Sequence, residues 1–417
     1  MSEDLVDNSF DLIIIGGGLA GASLACALKN IGENESLKIA VVEAYELNTK
    51  QQPSYDDRTV AISYGSRCIF ESMGLWSELA QHAETINTIH ISDRGHFGVT
   101  RLTKEQESVE ALGYVLENKR VGEVLYAAMN DASASNIHLF CPASISSLKL
   151  DETQVSVGVS LAGEEKVLQG KLLIAADGNN SQVMQLLNVG SSRKDYQQTA
   201  LITNVTPGKK HNNVAYERFT DSGPLAFLPM ASNRCSVVWT LDPQQAEELE
   251  NLDDDTFLAQ LQQTFGFRLG QIKKVGQRQS YPLFLQAATQ IVHNRVAIIG
   301  NAAHSLHPVA GQGFNLALRD IAILSELIVE NLRAGKDVGD QAMLQEYAQL
   351  REQDIKRVYR FTDTLVRTFS NNISSLAHLR SMGLMLVDLL PDIKHQLATQ
   401  SMGMSGRLSR LNRGLRL

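Results

Sequence analysis

The first forty residues alternate between short apolar runs and a glycine-rich turn. The run Phe10–Ile15 is rich in β-branched residues and ends at the sequence GGGLAG, residues 16–21. Small and apolar residues continue at helical spacing through Ala22–Ile31, and a second apolar run, Lys38–Glu43, ends in an acid. A strand, a tight turn, a helix and a second strand in this order predict a βαβ unit.

Later segments mix two kinds of periodicity. Residues 145–175 alternate as an antiparallel hairpin does, with Ala162 and Gly163 at the turn. Between about residues 195 and 280 the pattern changes to short strands followed by one long helical stretch, and a buried strand then returns before a mostly helical C-terminal part. We assign strands to Leu225–Met230, Cys235–Thr240 and Val296–Gly300, and helices to Gln244–Phe265, to about Phe314–Arg333 and to most of the chain after Asp340.

This order of elements predicts an α/β protein whose first domain is discontinuous. We assign residues 1–80, 105–190 and 280–340 to a Rossmann-like domain, because the parallel-type strands lie there. Residues 81–104 and 191–279 are assigned to an inserted mixed α+β substrate domain with its own sheet. Residues 341–417 form a C-terminal helical region that ends in a basic tail.

Composition narrows the class of protein. The chain has 417 residues, 43% of them hydrophobic, and its formal net charge of -8 argues against a general affinity for nucleic acid. The four cysteines are far apart and form no C-x-x-C pair, so we expect neither a metal site nor a disulfide framework. The apolar runs are too short for a membrane span, and the acidic start lacks the basic region of a signal peptide. We therefore expect a cytoplasmic protein.

The glycine turn carries the first chemical signal. Gly16, Gly18 and Gly21 have the G-x-G-x-x-G spacing between a strand and a helix, and Glu43 ends the next strand. In this context the first glycine permits the turn, the second lets a pyrophosphate approach the helix N-terminus, and the third allows close helix packing. The acid accepts hydrogen bonds from an adenosine ribose. These residues predict a site for an adenine dinucleotide.

Two further segments favour FAD over NAD. The buried strand of residues 173–176 ends in Asp177-Gly178, and the strand of residues 298–299 leads through Gly300 into a loop with glycines at 311 and 313. Polar groups just beyond strand ends are where open α/β sheets bind ligands. A second helix N-terminus beside these glycines suits a flavin ring, which gains negative charge on reduction.

Together, GGGLAG, AADG, GNAAHSLHPVAGQGFN and the Asp57-Arg58 pair in YDDRTVAIS resemble the class A FAD-dependent aromatic hydroxylases, of the p-hydroxybenzoate hydroxylase type. Within that class, the segments ISDRGH (91–96), YERF (216–219) and GPLAFLPM (223–230) resemble the ubiquinone-biosynthesis hydroxylases, in particular the bacterial 2-polyprenyl-6-methoxyphenol hydroxylases. The resemblance extends from about residue 10 to residue 390.

The resemblance implies a set of cofactor-binding residues in this chain. One position departs from the superfamily, where Asp usually follows the glycine of the third motif. Asn301 stands there instead, and its amide can still hydrogen-bond the ribityl chain without a negative charge. The implied FAD-binding residues are Gly16, Gly18, Leu19, Ala20, Gly21, Glu43, Arg58, Asp177, Gly178, Gly300, Asn301, Pro308, Gly311, Gln312, Gly313 and Asn315.

The resemblance also implies the chemistry. FAD is reduced by a transient NAD(P)H donor, reacts with O2 to a C4a-hydroperoxyflavin and hydroxylates the ring of a polyprenylated phenol, giving a quinol. We expect an apolar channel for the isoprenoid tail, between the sheet containing Leu225–Met230 and the C-terminal helices. Other proteins of ubiquinone biosynthesis and a second copy of the chain are candidate partners.

Three other interpretations stay open. The chain is consistent with another ring hydroxylase of the same pathway, with an FAD-dependent dehydrogenase or isoprenoid reductase, and with a non-catalytic flavoprotein subunit of a biosynthetic complex. No residue is assigned as catalytic. His304 is a candidate proton relay rather than half of a metal pair with His307, and Arg218 and Arg234 are candidates to contact the flavin or a phenolate.

The last eleven residues place arginines between leucines at a spacing of three. On a helix, residues 407–417 form a basic stripe beside an apolar one, which suits an anionic membrane surface or an acidic partner. A frayed, solvated tail explains the same pattern, and Gly414 weakens a helix there. Peripheral contact with the inner membrane through this tail is therefore one hypothesis for the location of the protein.

Overall fold

The computed structural model of the chain describes residues 8–29, 31, 36–46, 58–305, 311–369, 383 and 386–417, and of residues 365–369 only the backbone. The strands are β1 (Ser9–Ile15), β2 (Ile39–Val42), β3 (Thr59–Ser63), β4 (Glu84–Ile86), β5 (Thr88–Asp93), β6 (Val99–Thr103), β7 (Gly113–Glu117), β8 (Ile137–Phe140), β9 (Ala143–Leu150), β10 (Val155–Leu161), β11 (Glu164–Ala175), β12 (Ser191–Thr206), β13 (Val214–Phe219), β14 (Pro224–Met230), β15 (Arg234–Leu241), β16 (Lys274–Val275), β17 (Gln279–Ala288), β18 (Val292–His293), β19 (Val296–Ile298) and β20 (His304–Ser305). The α-helices are α1 (Leu19–Ala27), α2 (Tyr64–Ser72), α3 (Trp76–Leu79), α4 (Lys104–Glu107), α5 (Asn118–Asn130), α6 (Gln182–Leu186), α7 (Pro243–Glu250), α8 (Asp254–Phe265), α9 (Gly300–Ala303), α10 (Gln312–Arg333), α11 (Gln341–Phe369) and α12 (Pro391–Ser401).

The first sheet is built around β1. Its main path runs β18-β19-β11-β1-β2-β8, and β1 pairs in parallel with both β2 and β11. Leu12 and Ile14 pack against α1, α5 and α10, whereas Ile13 and Ile15 face the opposite side, towards β9, β10 and α6. Because both faces of β1 are covered, its sequence is continuously apolar. The α/β fold predicted from the strand and helix order is confirmed.

The second sheet has two different faces. Its path is β20-β17-β12-β15-β14-β13-β5-β6, and it is mostly antiparallel. On one face Leu201, Phe227 and Trp239 form a core with α7 and α8. The alternate residues of the same strands point away from those helices, because side chains along a strand alternate between faces. This second face turns towards the first sheet and forms a wall of the site described below.

The two sheets meet at β20. Strand β19 of the first sheet is followed by the short helix α9 and then by His304 and Ser305. These two residues pair with Ala287 and Gln286 of β17 in the second sheet. A small third sheet, β3-β7-β4, adjoins the same junction, and Thr59 of β3 donates a hydrogen bond to Ser236 of β15 at 2.8 Å. The segment predicted to hold the flavin ring therefore lies where all three sheets come together.

Apart from ends that shift by a few residues, such as that of the strand predicted over Val296–Gly300, two predicted elements differ from the structure. The single helix expected over Gln244–Phe265 is two helices, α7 and α8. The side chain of Asp253 accepts a hydrogen bond from the backbone N–H of Thr256 at 2.9 Å, so it caps a new helix start. Helical periodicity on both sides of Asn251–Asp253 concealed this break.

The C-terminal tail also differs from both expectations. Residues 407–417 contain only a short 3-10 turn, Leu411–Arg413, and Leu411 is buried in the main core with 2% of its surface exposed. The hydroxyl of Ser72 in α2 donates a hydrogen bond to the Leu411 carbonyl at 3.0 Å. The tail is therefore neither an amphipathic helix nor a frayed end, because its leucine side chain is used for packing.

Candidate functional site

The glycine turn brings β1 and α1 close to the end of β11. Gly16 has φ of +102°, and a Cβ at this position would lie 2.5 Å from the carbonyl oxygen of Ala176. A Cβ on Gly21 would lie 1.9 Å from the Gly16 carbonyl oxygen. Larger residues do not fit at either position. Gly18 caps α1 without any side-chain hydrogen bond, so the first turn of this helix presents its backbone N–H groups to the site.

Two acids flank this turn. Glu43, at the end of β2, accepts hydrogen bonds from the backbone N–H groups of Gly17 at 2.6 Å and Tyr45 at 2.9 Å. Burial raises the pKa of Glu43, although these backbone N–H groups partly offset the effect. Burial also raises the pKa of Asp177, whose Oδ2 accepts from the Val183 N–H at 3.2 Å. The second oxygen of Asp177 is buried and has no hydrogen-bond partner among the described residues.

The third motif is held by the start of α10. Gly311 caps this helix in the left-handed conformation and, like Gly18, without a side-chain hydrogen bond. The amide of Asn315 donates to the carbonyls of Ala61 and Gly311, both at 2.7 Å, and accepts from the Ser63 N–H at 2.8 Å. Asn315 therefore fixes the helix start against β3. These hydrogen bonds hold the start of α10, with the glycines of the third motif, in a fixed position relative to the small sheet.

A buried ionic network lies beneath this motif. Asp320 of α10 accepts hydrogen bonds from His304 at 2.5 Å and from Arg351 of α11 at 2.7 Å, and the Gly300 N–H points to the same carboxylate at 3.4 Å. Asp354 joins Arg351 to Arg319 at 2.7 and 2.9 Å. Burial alone would raise the pKa of Asp320, but His304 and Arg351 together lower it. His304 is thus engaged with a charged partner in the protein interior.

One cavity of about 1440 Å³ connects the glycine turn, the two acids and the start of α10. At one end it is lined by flavin-motif residues, and at the other by apolar side chains of the second sheet and of the C-terminal segment. The residues from the predicted site that line it are Gly16, Gly18, Leu19, Ala20, Glu43, Arg58, Asp177, Gly178, Gly300, Asn301, Gly311, Gly313 and Asn315. The apolar part includes Ile89, Ile91, Leu102, Leu112, Ala226, Leu228, Val238, Val387 and Leu397.

Other predicted residues lie elsewhere. Gly21 and Gln312 are buried beside the cavity but do not line it, and Pro308, His307 and Asp57 fall outside the described residues. Arg218 donates to the Phe265 carbonyl at 2.9 Å on the helix-covered face of the second sheet, and Arg234 pairs with Glu117 at 3.0 Å. His304, Arg218 and Arg234 do not line the cavity. Their catalytic roles stay untested predictions.

Several residues that line the cavity were not predicted as site residues. One is Tyr281 on β17, whose ring centroid lies 4.8 Å from the guanidinium of Arg58. This contact joins the flavin-motif end of the cavity to the second sheet. Glu217 of β13 lines the cavity as well. The signal for Glu217 is present in the sequence, since an acid stands between Ala215 and Phe219 on the same face of a strand.

The residues present fit FAD. Two helix N-termini with uncapped N–H groups point into one cavity, and glycines sit where a side chain would fill the space or collide with the backbone. Asp177 offers a buried oxygen that lacks a donor. An electron-rich dinucleotide with hydroxyl groups along its length supplies the anion for the helix ends and the donors for the carboxylates.

Comparison with known proteins agrees with this fit. The FAD binding domain family matches residues 9–362. The ubiquinone hydroxylase UbiL of Rhodospirillum rubrum is 35% identical over 402 residues, which cover 95% of this chain and 90% of the relative. The mitochondrial ubiquinone biosynthesis monooxygenase COQ6 of Homo sapiens is 28% identical, with 94% of this chain and 92% of the relative covered.

Solved structures agree on the fold. The crystal structure of p-nitrophenol 4-monooxygenase PnpA from Pseudomonas putida aligns with a TM-score of 0.79 at 16% identity, covering 96% of this chain and 99% of that one. At this identity the likeness concerns the fold, which is of the p-hydroxybenzoate hydroxylase type. The expectation of an FAD cofactor is confirmed by the matching family.

Proposed function

Because the chain belongs to the FAD binding domain family and is an FAD-dependent aromatic monooxygenase, we propose that it hydroxylates a polyprenylated phenol in ubiquinone biosynthesis. The substrate we assign is a 2-polyprenyl-6-methoxyphenol, which becomes a quinol. NAD(P)H and O2 are the co-substrates. The relatives named for ubiquinone hydroxylation support the pathway, and the shape of the cavity supports the lipid tail.

The continuity of the cavity is the observation that carries this proposal. Its volume of about 1440 Å³ includes the space for FAD and lies above the roughly 300–1,000 Å³ of an ordinary small-molecule site. Beyond the flavin motifs it is lined mainly by apolar side chains, and it extends to Val387 and Leu397 of the C-terminal region. A phenol ring at the flavin end and an isoprenoid tail along the aliphatic part match this division, since apolar surface stabilises an apolar tail.

The described residues would bind FAD, orient the substrate ring and exclude water. The turn at Gly16–Gly21 with Glu43 would hold the adenosine and pyrophosphate, and Asn301 with the start of α10 would hold the ribityl and ring portions. When bound and reduced by a nicotinamide donor, FAD supplies the activated oxygen. The second sheet presents Ala226, Leu228 and Val238 to the reaction space, so the ring is positioned by shape in a site from which aliphatic side chains exclude water.

The decisive experiment is quinone-lipid analysis of a strain that lacks the gene. We expect accumulation of a prenylated methoxyphenol and its disappearance when the wild-type gene is returned. Normal ubiquinone in the deletion strain contradicts the proposal. Accumulation of a different prenylated phenol assigns the chain to another ring-hydroxylation step of the pathway.

Purified enzyme separates the remaining alternatives. A monooxygenase consumes O2 in proportion to NAD(P)H and yields hydroxylated product, and NADH and NADPH are compared in the same assay. Oxidation or reduction of substrate without oxygen insertion indicates a dehydrogenase or isoprenoid reductase. FAD-containing protein that turns over no phenol, but is needed in cells, indicates a flavoprotein subunit of a complex.

We also propose that the protein meets lipid through an apolar rim beside the cavity. The rim consists of Leu386, Leu389, Leu390 and Ile393, which expose between 44% and 71% of their surface. Val387, within the same segment, lines the cavity, so the rim is continuous with the space assigned to the isoprenoid tail. No helix in the described part of the chain is long and apolar enough to cross a bilayer. An exposed apolar rim of this kind is suited to contact with the surface of a bilayer.

Vesicle flotation tests the rim. We expect wild-type protein to float with phospholipid vesicles and the double variant Leu389→Ser/Ile393→Ser to remain in solution. Leu186→Ser removes a similarly exposed leucine from α6 and should float normally. Unchanged flotation of the rim variant refutes the proposal, and so does a rim covered by a second copy of the chain in cross-linking experiments.

A further inference from the structure

One row of residues crosses the cavity-facing side of the second sheet and is aliphatic except at one position. Across neighbouring strands, Glu217 of β13 pairs with Ile91 of β5 and Ala226 of β14, and Ala226 in turn pairs with Val238 of β15. Val238 pairs with Ile202 of β12. All five of these residues line the cavity. Among the described residues of this row, Glu217 alone carries an ionisable group.

The neighbours of Glu217 on its own strand point the other way. The Tyr216 ring lies 5.5 Å from the ring of Phe265, and Arg218 bonds the Phe265 carbonyl, both on the side covered by α8. His90 and Arg101, a facing pair on β5 and β6, also belong to that side, where His90 hydrogen-bonds Arg268 at 2.6 Å. These basic groups are therefore separated from the Glu217 carboxylate by the sheet.

The cavity holds the carboxylate in apolar surroundings. Burial raises the pKa of Glu217 from 4.5 to about 7, and no charged neighbour contributes to this shift. Among the described residues, five other ionisable side chains line the cavity, those of Glu43, Tyr45, Arg58, Asp177 and Tyr281. Tyr216 also borders the cavity, but its ring packs against Phe265 on the other side of the sheet. Glu43 and Asp177 belong to the flavin motifs, and Arg58 stacks on Tyr281. A carboxyl group that titrates near neutral pH is suited to proton exchange with a ligand.

We propose that Glu217 is the catalytic base that takes the proton from the phenol hydroxyl of the substrate, an assignment that rests on the proposed function. The O–H bond of the phenol breaks and a new O–H bond forms on the carboxylate. The phenolate ring carbon is then electron-rich enough to take up the oxygen atom that O2 and NAD(P)H supply. The ring carbon then loses its hydrogen as a proton, which leaves with the second oxygen atom of O2 as water. As aromaticity returns, Glu217 gives its proton back to the phenol oxygen.

The test compares Glu217→Gln and Glu217→Asp holoenzymes with wild type, using a short-chain 2-prenyl-6-methoxyphenol. Glutamine keeps the size of the side chain and cannot accept the proton. At pH 7 we expect Glu217→Gln to form product about 100-fold more slowly, with little change in KM, FAD content or the rate of flavin reduction by NAD(P)H. Aspartate should restore part of the rate.

The pH profile distinguishes a base from a packing residue. Wild-type kcat should rise with pH and level off just above 7, whereas kcat of Glu217→Gln should keep rising towards the phenol's own pKa, near 10 for a simple phenol. Glu247→Gln, on the exposed face of α7, should retain the wild-type profile.

Two results overturn the assignment. Glu217→Gln with wild-type kcat and pH profile shows that another group takes the proton, and a loss of rate that neither high pH nor aspartate relieves shows a structural role. Wild-type enzyme that leaves this phenol unchanged refutes the proposed function instead, and the assignment with it.

Discussion

Individual residues in this protein are constrained by the backbone as much as by chemistry. Gly16 and Gly21 lie where any side chain meets a carbonyl oxygen, and Asn315 joins α10 to β3 through two hydrogen bonds. These positions shape the cofactor site before any ligand contact is considered. Glu217 is the opposite case, because its charge rather than its size conflicts with its surroundings.

Replacing Gly16 with alanine should impair FAD binding. The new Cβ would lie 2.5 Å from the Ala176 carbonyl and the residue would keep φ of +102°, so the turn must shift. We expect a cost of about 1–3 kcal/mol and a loss of FAD affinity of roughly tenfold or more. FAD content after gel filtration measures this. Gly74→Ala, with φ of +76° and open space around it, should keep its FAD; equal loss in both variants would contradict the close-approach explanation.

Glu217 should make stability depend on pH in a defined direction. Its pKa in the folded protein, about 7, lies above its ordinary value of 4.5, so its contribution to stability is fully present below pH 4.5 and is lost as pH rises through 7. Glu217→Gln cannot ionise. We expect it to match wild type at pH 4.5 and to be more stable by at least about 1 kcal/mol at pH 8, in denaturant unfolding of both holoenzymes. A Gln variant that is less stable at pH 8 contradicts this account.

Elements are coupled here through a few buried contacts. Helices α10 and α11 face each other through Arg319, Asp320, Arg351 and Asp354, and the network reaches Gly300 and His304 in the third motif. A helix that belongs to the predicted C-terminal region therefore supports the cofactor site. The predicted division into three regions stays a prediction, and limited proteolysis would test its boundaries.

Breaking this network should be costly. Arg351→Met leaves Asp320 and Asp354 buried without their shared partner, for which we expect a loss of about 3–5 kcal/mol in the free energy of unfolding and weaker FAD binding. Lys356→Met removes an exposed ion pair with Glu352 on the same helix and should cost no more than about 1 kcal/mol. Urea unfolding compares the two. Similar losses would mean that the buried network has no special role.

At the scale of the whole molecule, the C-terminal tail packs against elements from the first part of the chain. Leu411, in the C-terminal tail, lies in the same core as β1 and α1, and the Arg410 N–H donates to Glu326 of α10 at 2.6 Å. The Gly65 N–H of α2 donates to the Met402 carbonyl at 2.8 Å. The tail thus contributes to the core beside the first sheet.

Leu411→Ala should therefore destabilise the whole protein. The loss of a buried leucine side chain costs about 2–5 kcal/mol, which should lower the thermal midpoint by several degrees. Leu415→Ala, at a position with 41% of its surface exposed, should change stability by less than about 0.5 kcal/mol. Differential scanning calorimetry of the holoenzymes provides the measurement. A tail that acts only as an external stripe would make the two variants alike.

Local patterns predicted the elements well because their causes are local. The continuous apolar run of β1 reflects a strand covered on both faces, and the glycine spacing reflects a tight turn in which Gly21 approaches the Gly16 carbonyl. The close approach of Gly16 to Ala176, by contrast, involves a distant segment. The break between α7 and α8 was missed because both helices have the same periodicity and the capping bond of Asp253 was not considered. The pattern of arginines and leucines in the tail could not show that the tail packs into the core. Burial of Leu411 depends on contacts with residues more than 300 positions away in the sequence.

The α/β fold class and an adenine dinucleotide site could be predicted from the amino-acid sequence, because strand and helix periods and the glycine motif are local features. The resemblance of three motifs narrowed this site to FAD. Which side chains share the cavity became evident only from the folded chain. Strand pairing turns Glu217 towards the cavity and Arg218 away from it. Packing of α10 brings Asp320 into hydrogen-bonding distance of His304. The physical reason is that charge and burial depend on distant segments, which no local pattern encodes.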